Sequence, residues 1–453
     1  MLFNAEQRSE ARRLLRLFWP IILGQLAQTS INLVDTMMSG LAGTLQLSGV
    51  AVGASLVIPF EFFIIGLSLA VQPVVAQLRG GGRLSQVPPY LCAATALSLA
   101  ISLLSGLLLT QVDLIFPYLG TEQDMLKVAY GYALAIAAAL PALCLFNLMR
   151  ALCEGLGSTV PTLIFGFTAL ILNIPLNYIF IFGAGPVPAL GGIGCGIATA
   201  LTWYLCVILF YFYLRHALLL APLRQCWSGF ATTVTQIREF LHLALPFGIS
   251  SCLEVTCFGL AALILAPFGE IVVSAHAITL NVSSLYFMIP MSLGAAVTIC
   301  VGEYQGARSQ RRCLNLIAAS FKVQLLFYLG CMSSLVLLRY HIAALYSADE
   351  EVVVLAGNLM LLCAMYMLPD CIQMNGIGVA RGFKDSRTIM LVTALSYWVI
   401  ALPAGFVLAR GMFGLPQYAA SGIWYGFIGG LSCAALCYII RVLRLSRNLS
   451  CEL

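Results

Sequence analysis

Apolar stretches of 23 or more residues recur along this chain with only short polar loops between them, and that recurrence leaves little freedom in what it can fold into. Twelve can be laid out, at 14–39, 49–77, 88–111, 128–153, 159–182, 191–215, 237–265, 274–302, 312–337, 352–379, 387–409 and 418–443. About 20 apolar residues rising 1.5 Å each cross a bilayer, whereas a barrel strand needs only about 10 residues of alternating character, so the stretches read as helices. Composition agrees: 61% of residues are hydrophobic and only 9% charged, against about 25% charged in soluble proteins. The expected fold is an all-α polytopic membrane protein with twelve transmembrane helices. The first stretch is too long for a signal peptide and ends in no convincing small-x-small cleavage site, so the chain is expected to stay anchored from its first span.

The basic residues test this layout independently. Nineteen of the 23 Lys and Arg fall on the side of the amino terminus, among them Arg8, Arg12, Arg79, Arg150, Arg308, Arg381 and Arg444. Lys127, Arg339 and Arg410 fall opposite, and Lys322 lies within the ninth stretch. The positive-inside rule then sets both termini in the cytoplasm. Membrane anchoring accounts for the net charge of +5, and no nucleic-acid partner is inferred from it.

Half-way along, the sequence begins again. Pro20 recurs as Pro246, Ser48 as Ser274 and Gly196 as Gly422, each 226 residues later, while Arg83 returns as Arg308, Pro141 as Pro369 and Gly155 as Gly382 at 225 to 228. Six spans per half insert both copies the same way up, as parallel repeats about an axis along the membrane normal, an arrangement suited to alternating access. The expected organisation is an amino-terminal lobe at 1–216, a cytoplasmic linker at 217–236 and a carboxy-terminal lobe at 237–453.

Several chemistries are disfavoured. The 16 cysteines are scattered with no CxxC pair, and His216, His242, His276 and His341 share no spacing motif, so the cysteines read as small buried hydrophobes. Neither GxxxxGK[ST] nor a strand-borne GxGxxG occurs, so no nucleotide-binding site and no cofactor is expected and transport energy would come from an ion gradient. An intramembrane enzyme would show ligand clusters or surface acidic motifs. A channel would show a filter-like repeated loop.

Four acids remain inside the apolar stretches: Asp35, Glu61, Glu254 and Asp370. A carboxylate at that depth costs several kcal/mol and is normally turned to a bundle interior or a wet cavity where it serves a purpose. Asn32 and Gln28 precede Asp35 by three and seven residues, forming one polar stripe on the first helix; the competing reading is a helix-packing seam. In NIPLNYIF, Asn173 and Asn177 flank Pro175, which frees a carbonyl beside two amides; helix-packing amides are the rival there too. In YMLPD, Tyr366 and Asp370 share a face and Pro369 frees another carbonyl. With Glu254 they make the oxygen-rich set that hard cations accept, the rival being a protonated carboxyl bridging helices. Glu61, in PFEFF, suits an organic cation through charge and ring faces together, or equally a protonated acid bonded to a neighbouring helix. Carboxyls held out of water can exchange protons in the working pH range, as a proton-coupled carrier requires. The repeat does not copy these acids: Asp35 aligns with Ala261, Glu254 with Gln28 and Asp370 with Ala142. Arg150 and Glu154, four apart, read as a structural pair.

Over almost its whole length the chain resembles the multidrug and toxic compound extrusion (MATE) family, most closely its bacterial NorM-like branch. The resemblance rests on QTSINLVDTMMSG, PVVAQLRGGGR, LNIPLNYIF, GGIGCGIATA, MYMLPD and ARGFKD in that order. It implies two six-helix lobes about a V-shaped cleft, and a secondary antiporter of the bacterial inner membrane. Such a carrier exports cationic, amphipathic drugs in exchange for Na⁺ or H⁺, working as a monomer. By position, Glu254, Asp370 and Tyr366 match the second-lobe cation site, and Asp35, Asn173 and Asn177 the first-lobe site. Asn177 is neutral where some prokaryotic members carry an acid. Glu61 lies outside the family pattern, and with Gln28 it is kept as a substrate contact on its own chemistry. The alternative within the wider superfamily is a lipid-linked saccharide flippase, which would call for basic residues in the cleft, whereas those here lie in loops and tails.

Overall fold

The computed structural model describes residues 3–114, 123–217 and 233–451, and among them the chain is helical apart from one isolated bridge between Ala184 and Val187. Twelve helices are long and apolar enough to cross a membrane, which is the all-α fold expected from the apolar stretches. In the first repeat they are α1 (Ala5–Leu41), α2 (Thr44–Gly80), α3 (Leu84–Leu114), α4 (Gln123–Gly155), α5 (Val160–Phe182) and α6 (Gly191–His216). The second repeat comprises α7 (Val234–Phe268), α8 (Glu270–Gly306), α9 (Gln310–Ala344), α10 (Glu350–Gly382), α11 (Ser386–Arg410) and α12 (Ala419–Leu449). The expected linker at 217–236 lies largely in 218–232, outside the described residues.

Residues group into two compact units, Pro20–Cys252 in one and Met1–Trp19 with Leu253–Leu453 in the other. The first turns of α1 therefore belong with the second repeat. Polar side chains hold them there: Arg13 pairs with Glu303 at 2.6 Å and donates to the Tyr304 hydroxyl at 2.7 Å, which in turn donates to Glu10 at 2.6 Å. Lys322 donates to Gln7 at 2.8 Å. These contacts explain why α1 begins at Ala5, well ahead of its apolar stretch.

Each unit has its own core. In Pro20–Cys252, Phe165 stacks on Phe210 with centroids 4.1 Å apart, and Phe146 packs on Trp203 at 5.0 Å. In the other unit Trp424 and Phe427 of α12 meet Tyr366 of α10, and Phe258 of α7 meets Phe427 at 4.9 Å. Outward leucines such as Leu103, Leu104, Leu107 and Leu108 on α3 remain exposed, as suits side chains that face hydrocarbon. The cysteines described are free and mostly buried.

The fifth helix of each repeat widens from α to π geometry but at a different point, α5 over Tyr178–Phe182 and α11 over Ala394–Ala401. Each widening adjoins a proline, Pro175 or Pro403, whose missing N–H loosens the hydrogen-bond ladder. A glycine of the next helix backs each one. A Cβ at Gly194 would strike the Phe180 carbonyl, and one at Gly430 would strike the Ser396 carbonyl, so the close approach needs a residue without a side chain.

Candidate ion-coupling sites

In the unit Pro20–Cys252, α1, α5 and α6 bring their polar residues to one buried point. Asp35 accepts on Oδ1 from Asn177 Nδ2 at 2.6 Å and on Oδ2 from Thr199 Oγ1 at 2.9 Å. Asn177 Nδ2 also reaches Asn173 Oδ1 at 2.9 Å. Both amides are fully buried, and Asn173 Nδ2 and Asn177 Oδ1 have no partner among the described residues. Asn177 is the last residue of α5 before the π segment, so the widening sets the turn that offers it to Asp35. The three residues marked by sequence thus converge. Thr199 was not singled out, although it lies within GGIGCGIATA and a hydroxyl on a small-residue face is the signal that could have found it.

The polar stripe on α1 divides. Gln28 accepts from Arg150 Nη1 at 3.3 Å. Arg150 lies 3.8 Å from Glu154, which also accepts from Gln72 and Thr162 at 2.8 Å each. Gln28 is therefore part of a buried ion-pair network with Arg150, while Asn32 is exposed. Glu61 on α2 is half-buried and hydrogen-bonds to no described residue.

In the other unit the carboxyls are Glu254 of α7 and Asp370 of α10. Glu254 is half-buried and its Oε1 accepts from Tyr397 Oη at 3.0 Å. Tyr397 lies inside the π segment of α11, is fully buried, and accepts from Gln373 Nε2 at 3.1 Å. Asp370 is 2% exposed, yet its Oδ1 has no partner among the described residues. Gln373, one turn further along α10, is 1% exposed, and its Oε1 is equally without a partner. Tyr366 is buried edge-on to Trp424 with centroids 5.7 Å apart. Sequence reasoning found Glu254, Asp370 and Tyr366 but not Tyr397 or Gln373. A tyrosine in an apolar stretch carries no signal unless the opposite helix is known, whereas Gln373 was visible three residues beyond Asp370.

Among the described residues no three of His, Cys, Asp and Glu come together, so an ion at either point would draw on amide, hydroxyl and carbonyl oxygens beside the acids. Such ligands suit hard cations.

Comparison with known proteins gives one family and one fold. The model of the family MatE matches twice, over residues 20–179 and 246–407, one match in each repeat. The chain is 39% identical over 435 residues to the multidrug resistance protein MdtK of Yersinia pseudotuberculosis serotype O:1b, covering 96% of this chain and 95% of that protein. It is 38% identical over 443 residues to MdtK of Pectobacterium atrosepticum, covering 97% and 96%. Among solved structures, the eukaryotic MATE transporter AtDTX14 superposes with a TM-score of 0.88 at 20% identity over 98% of this chain and 99% of that one. The Vibrio cholerae MATE transporter VcmN in the bent form gives 0.84 at 19% identity over 98% and 99%; at these identities the likeness is one of fold.

Proposed function

The chain belongs to the MatE family, and from that premise we propose that it is a multidrug efflux antiporter of the bacterial inner membrane, exporting cationic, amphipathic drugs in exchange for Na⁺ or H⁺. It is a transporter and not an enzyme. Its relatives' shared name, multidrug resistance protein, supports drug efflux over the saccharide flippase.

The observation that carries the ion-coupled reading is Asp370 Oδ1, buried with no donor. Leaving such an acceptor unmatched costs about 1–3 kcal/mol, more if charged, so occupancy by a cation or proton is favoured. Glu254, Asp370 and Tyr366 form the second-lobe Na⁺/H⁺ site in this reading, and Asp35, Asn173 and Asn177 the first-lobe coupling site, where Asp35 takes up a proton. Glu61 contacts the drug through its carboxyl, which hydrogen-bonds to no described residue. Gln28, tied to Arg150, acts on the substrate only through that network. An ion binding to the second lobe from outside favours the conformation that releases drug, and drug loading from the cytoplasm favours the reverse. Each ligand shifts the equilibrium only by its differential affinity for the two states. The working protein is a monomer with both termini in the cytoplasm.

The test is ethidium efflux from right-side-out vesicles under an imposed Na⁺ gradient and, separately, an imposed pH gradient. At least one gradient should drive efflux in the wild type, and neither should do so in Glu254→Ala or Asp370→Ala. Efflux that ignores both gradients, or variants that match the wild type, would refute the coupling.

A further inference from the structure

Three buried nitrogens of the second repeat have no hydrogen bond among the described residues. His276 of α8 is 1% exposed and neither of its ring nitrogens has a partner. Trp424 of α12 is fully buried, and its Nε1 is equally unmatched. The two rings meet edge to face with centroids 6.1 Å apart, and Trp424 is edge-on to Tyr366 at 5.7 Å. Tyr366 stands one turn before Asp370 on α10, and Asp370 Oδ1 is without a donor too. The four side chains form a line, His276 to Trp424 to Tyr366 to Asp370, inside one compact unit. His276 lies in the second turn of α8 and Trp424 in the second turn of α12. With the termini in the cytoplasm, those turns are at the outer side. Thr279, just beyond His276, donates to the Ala356 carbonyl, so Tyr366 and Asp370, further along α10, lie deeper than His276. The line runs from the outer side inward.

The scaffold does not require these groups. At the spacings of 226 and 228 that relate the repeats, His276 aligns with Val50, Trp424 with Ala198, Tyr366 with Ala138 and Asp370 with Ala142. The first repeat thus fills all four positions with apolar side chains. Burying an unmatched polar group costs about 1–3 kcal/mol, yet the second repeat places such groups at successive points of one line. What they share is an attraction for a cation. A neutral imidazole offers a nitrogen lone pair, indole and phenol offer their ring faces, and the line ends on a carboxyl oxygen. Sealed as His276 and Trp424 are, only a small ion and its water could pass between them.

We propose that Na⁺ reaches Asp370 from outside through the second lobe itself, with His276 as its first ligand on the way in and Trp424 as the residue that passes it to Tyr366. This rests on the ion-coupled reading of Asp370 given above and adds an entry route to it. A route can be told from a site. A residue that holds the ion only in passing lowers the barriers to entry and exit equally, so its loss slows binding and leaves the equilibrium affinity unchanged. A residue of the final site changes the affinity itself.

The experiment pairs two measurements on the full chain. Ethidium efflux from proteoliposomes driven by Na⁺ gives the maximal rate and the rate per unit of Na⁺ at low Na⁺. The Na⁺-induced rise in melting temperature in detergent gives the dissociation constant. In His276→Leu, efflux at low Na⁺ should fall about tenfold, while the maximal rate and the dissociation constant stay within about twofold of the wild type. Since the unmatched nitrogens stabilise nothing, this variant should melt no lower than the wild type. His276→Gln, which keeps a donor and an acceptor, should recover most of the loss. Trp424→Phe, which keeps a ring and lacks the N–H, should lose about threefold at low Na⁺. A fall shared equally by the maximal rate makes His276 a packing residue, and a weakened dissociation constant makes it part of the final site. Either result overturns the route, as does wild-type efflux at low Na⁺ in His276→Leu. Should Asp370→Asn lose the Na⁺ response while His276→Leu behaves as the wild type, the route falls and the site stands. A wild type indifferent to Na⁺, or an unaltered response in Asp370→Asn, refutes the site and the route together.

Discussion

Asp35 and Asp370 lie in two copies of one six-helix scaffold, and the protein treats them in opposite ways. Asp35 has a donor on each oxygen, Asn177 and Thr199. Asp370 is as deeply buried and has an oxygen with none. Hydrogen bonds to a charged group contribute about 1.5–3 kcal/mol each, so the first lobe can hold its carboxylate with protein alone. The second needs a ligand from outside. What is duplicated is the frame, prolines and glycines at one spacing and a fifth helix that widens to π geometry, though the widening follows Asn177 in one lobe and encloses Tyr397 in the other. The polar content was assigned to each lobe separately, as Ala261 opposite Asp35 and Ala142 opposite Asp370 already indicate.

The comparison is broken most directly by giving both acids the same change. An ion that binds only the native state raises stability by about 2.7 kcal/mol at 100 times its dissociation constant, so thermal melting in detergent should report it. Asp370→Asn should abolish the shift that Na⁺ produces, while Asp35→Asn should keep most of it and melt at a lower temperature in every salt. The reverse pattern would mean that the satisfied acid is the ion site.

A smaller effect sharpens the first half of the contrast. Thr199→Val takes one donor from Asp35 and changes little in volume, so it should cost about 1.5–3 kcal/mol. That loss should be the same with and without Na⁺. A cost that vanished in Na⁺ would mean that an ion, and not Thr199, holds Asp35 in the working protein.

Much of this was legible before any coordinates. The twelve spans follow from length and hydropathy, because apolar stretches this long close their backbone in hydrocarbon only as helices, and the parallel repeat follows from prolines and glycines that recur at one spacing. Buried acids declare themselves by their cost, which is why Asp35, Glu254 and Asp370 stood out. Their partners did not. Thr199, Tyr397 and Gln373 are residues that any apolar helix tolerates, and only the crossing of helices distant in sequence, set by glycine contacts and π widenings with no distinct sequence pattern, turns them towards a carboxyl. Gln28 shows the converse: it shares α1 with Asp35, but Arg150 of α4 decides what it bonds.

The smallest expected effect separates two tyrosines of the second lobe. Tyr366→Phe removes a hydroxyl that makes no hydrogen bond among the described residues, its ring being held by Trp424 and Phe427. Stability without Na⁺ should therefore stay within about 0.5 kcal/mol. If the hydroxyl turns to the ion once it binds, the half-saturating Na⁺ concentration should rise about fivefold, the equivalent of one neutral contact worth about 1 kcal/mol. It should rise equally at each pH, since Tyr366 lies outside the Gln373–Tyr397–Glu254 chain. An effect on stability alone would make Tyr366 a packing residue and leave the ion to Asp370 and Glu254. A pH-dependent effect would join it to the Gln373–Tyr397–Glu254 chain and widen the difference between the lobes, because Asp35 is fixed by two donors while the acids of the second lobe would answer to two phenols.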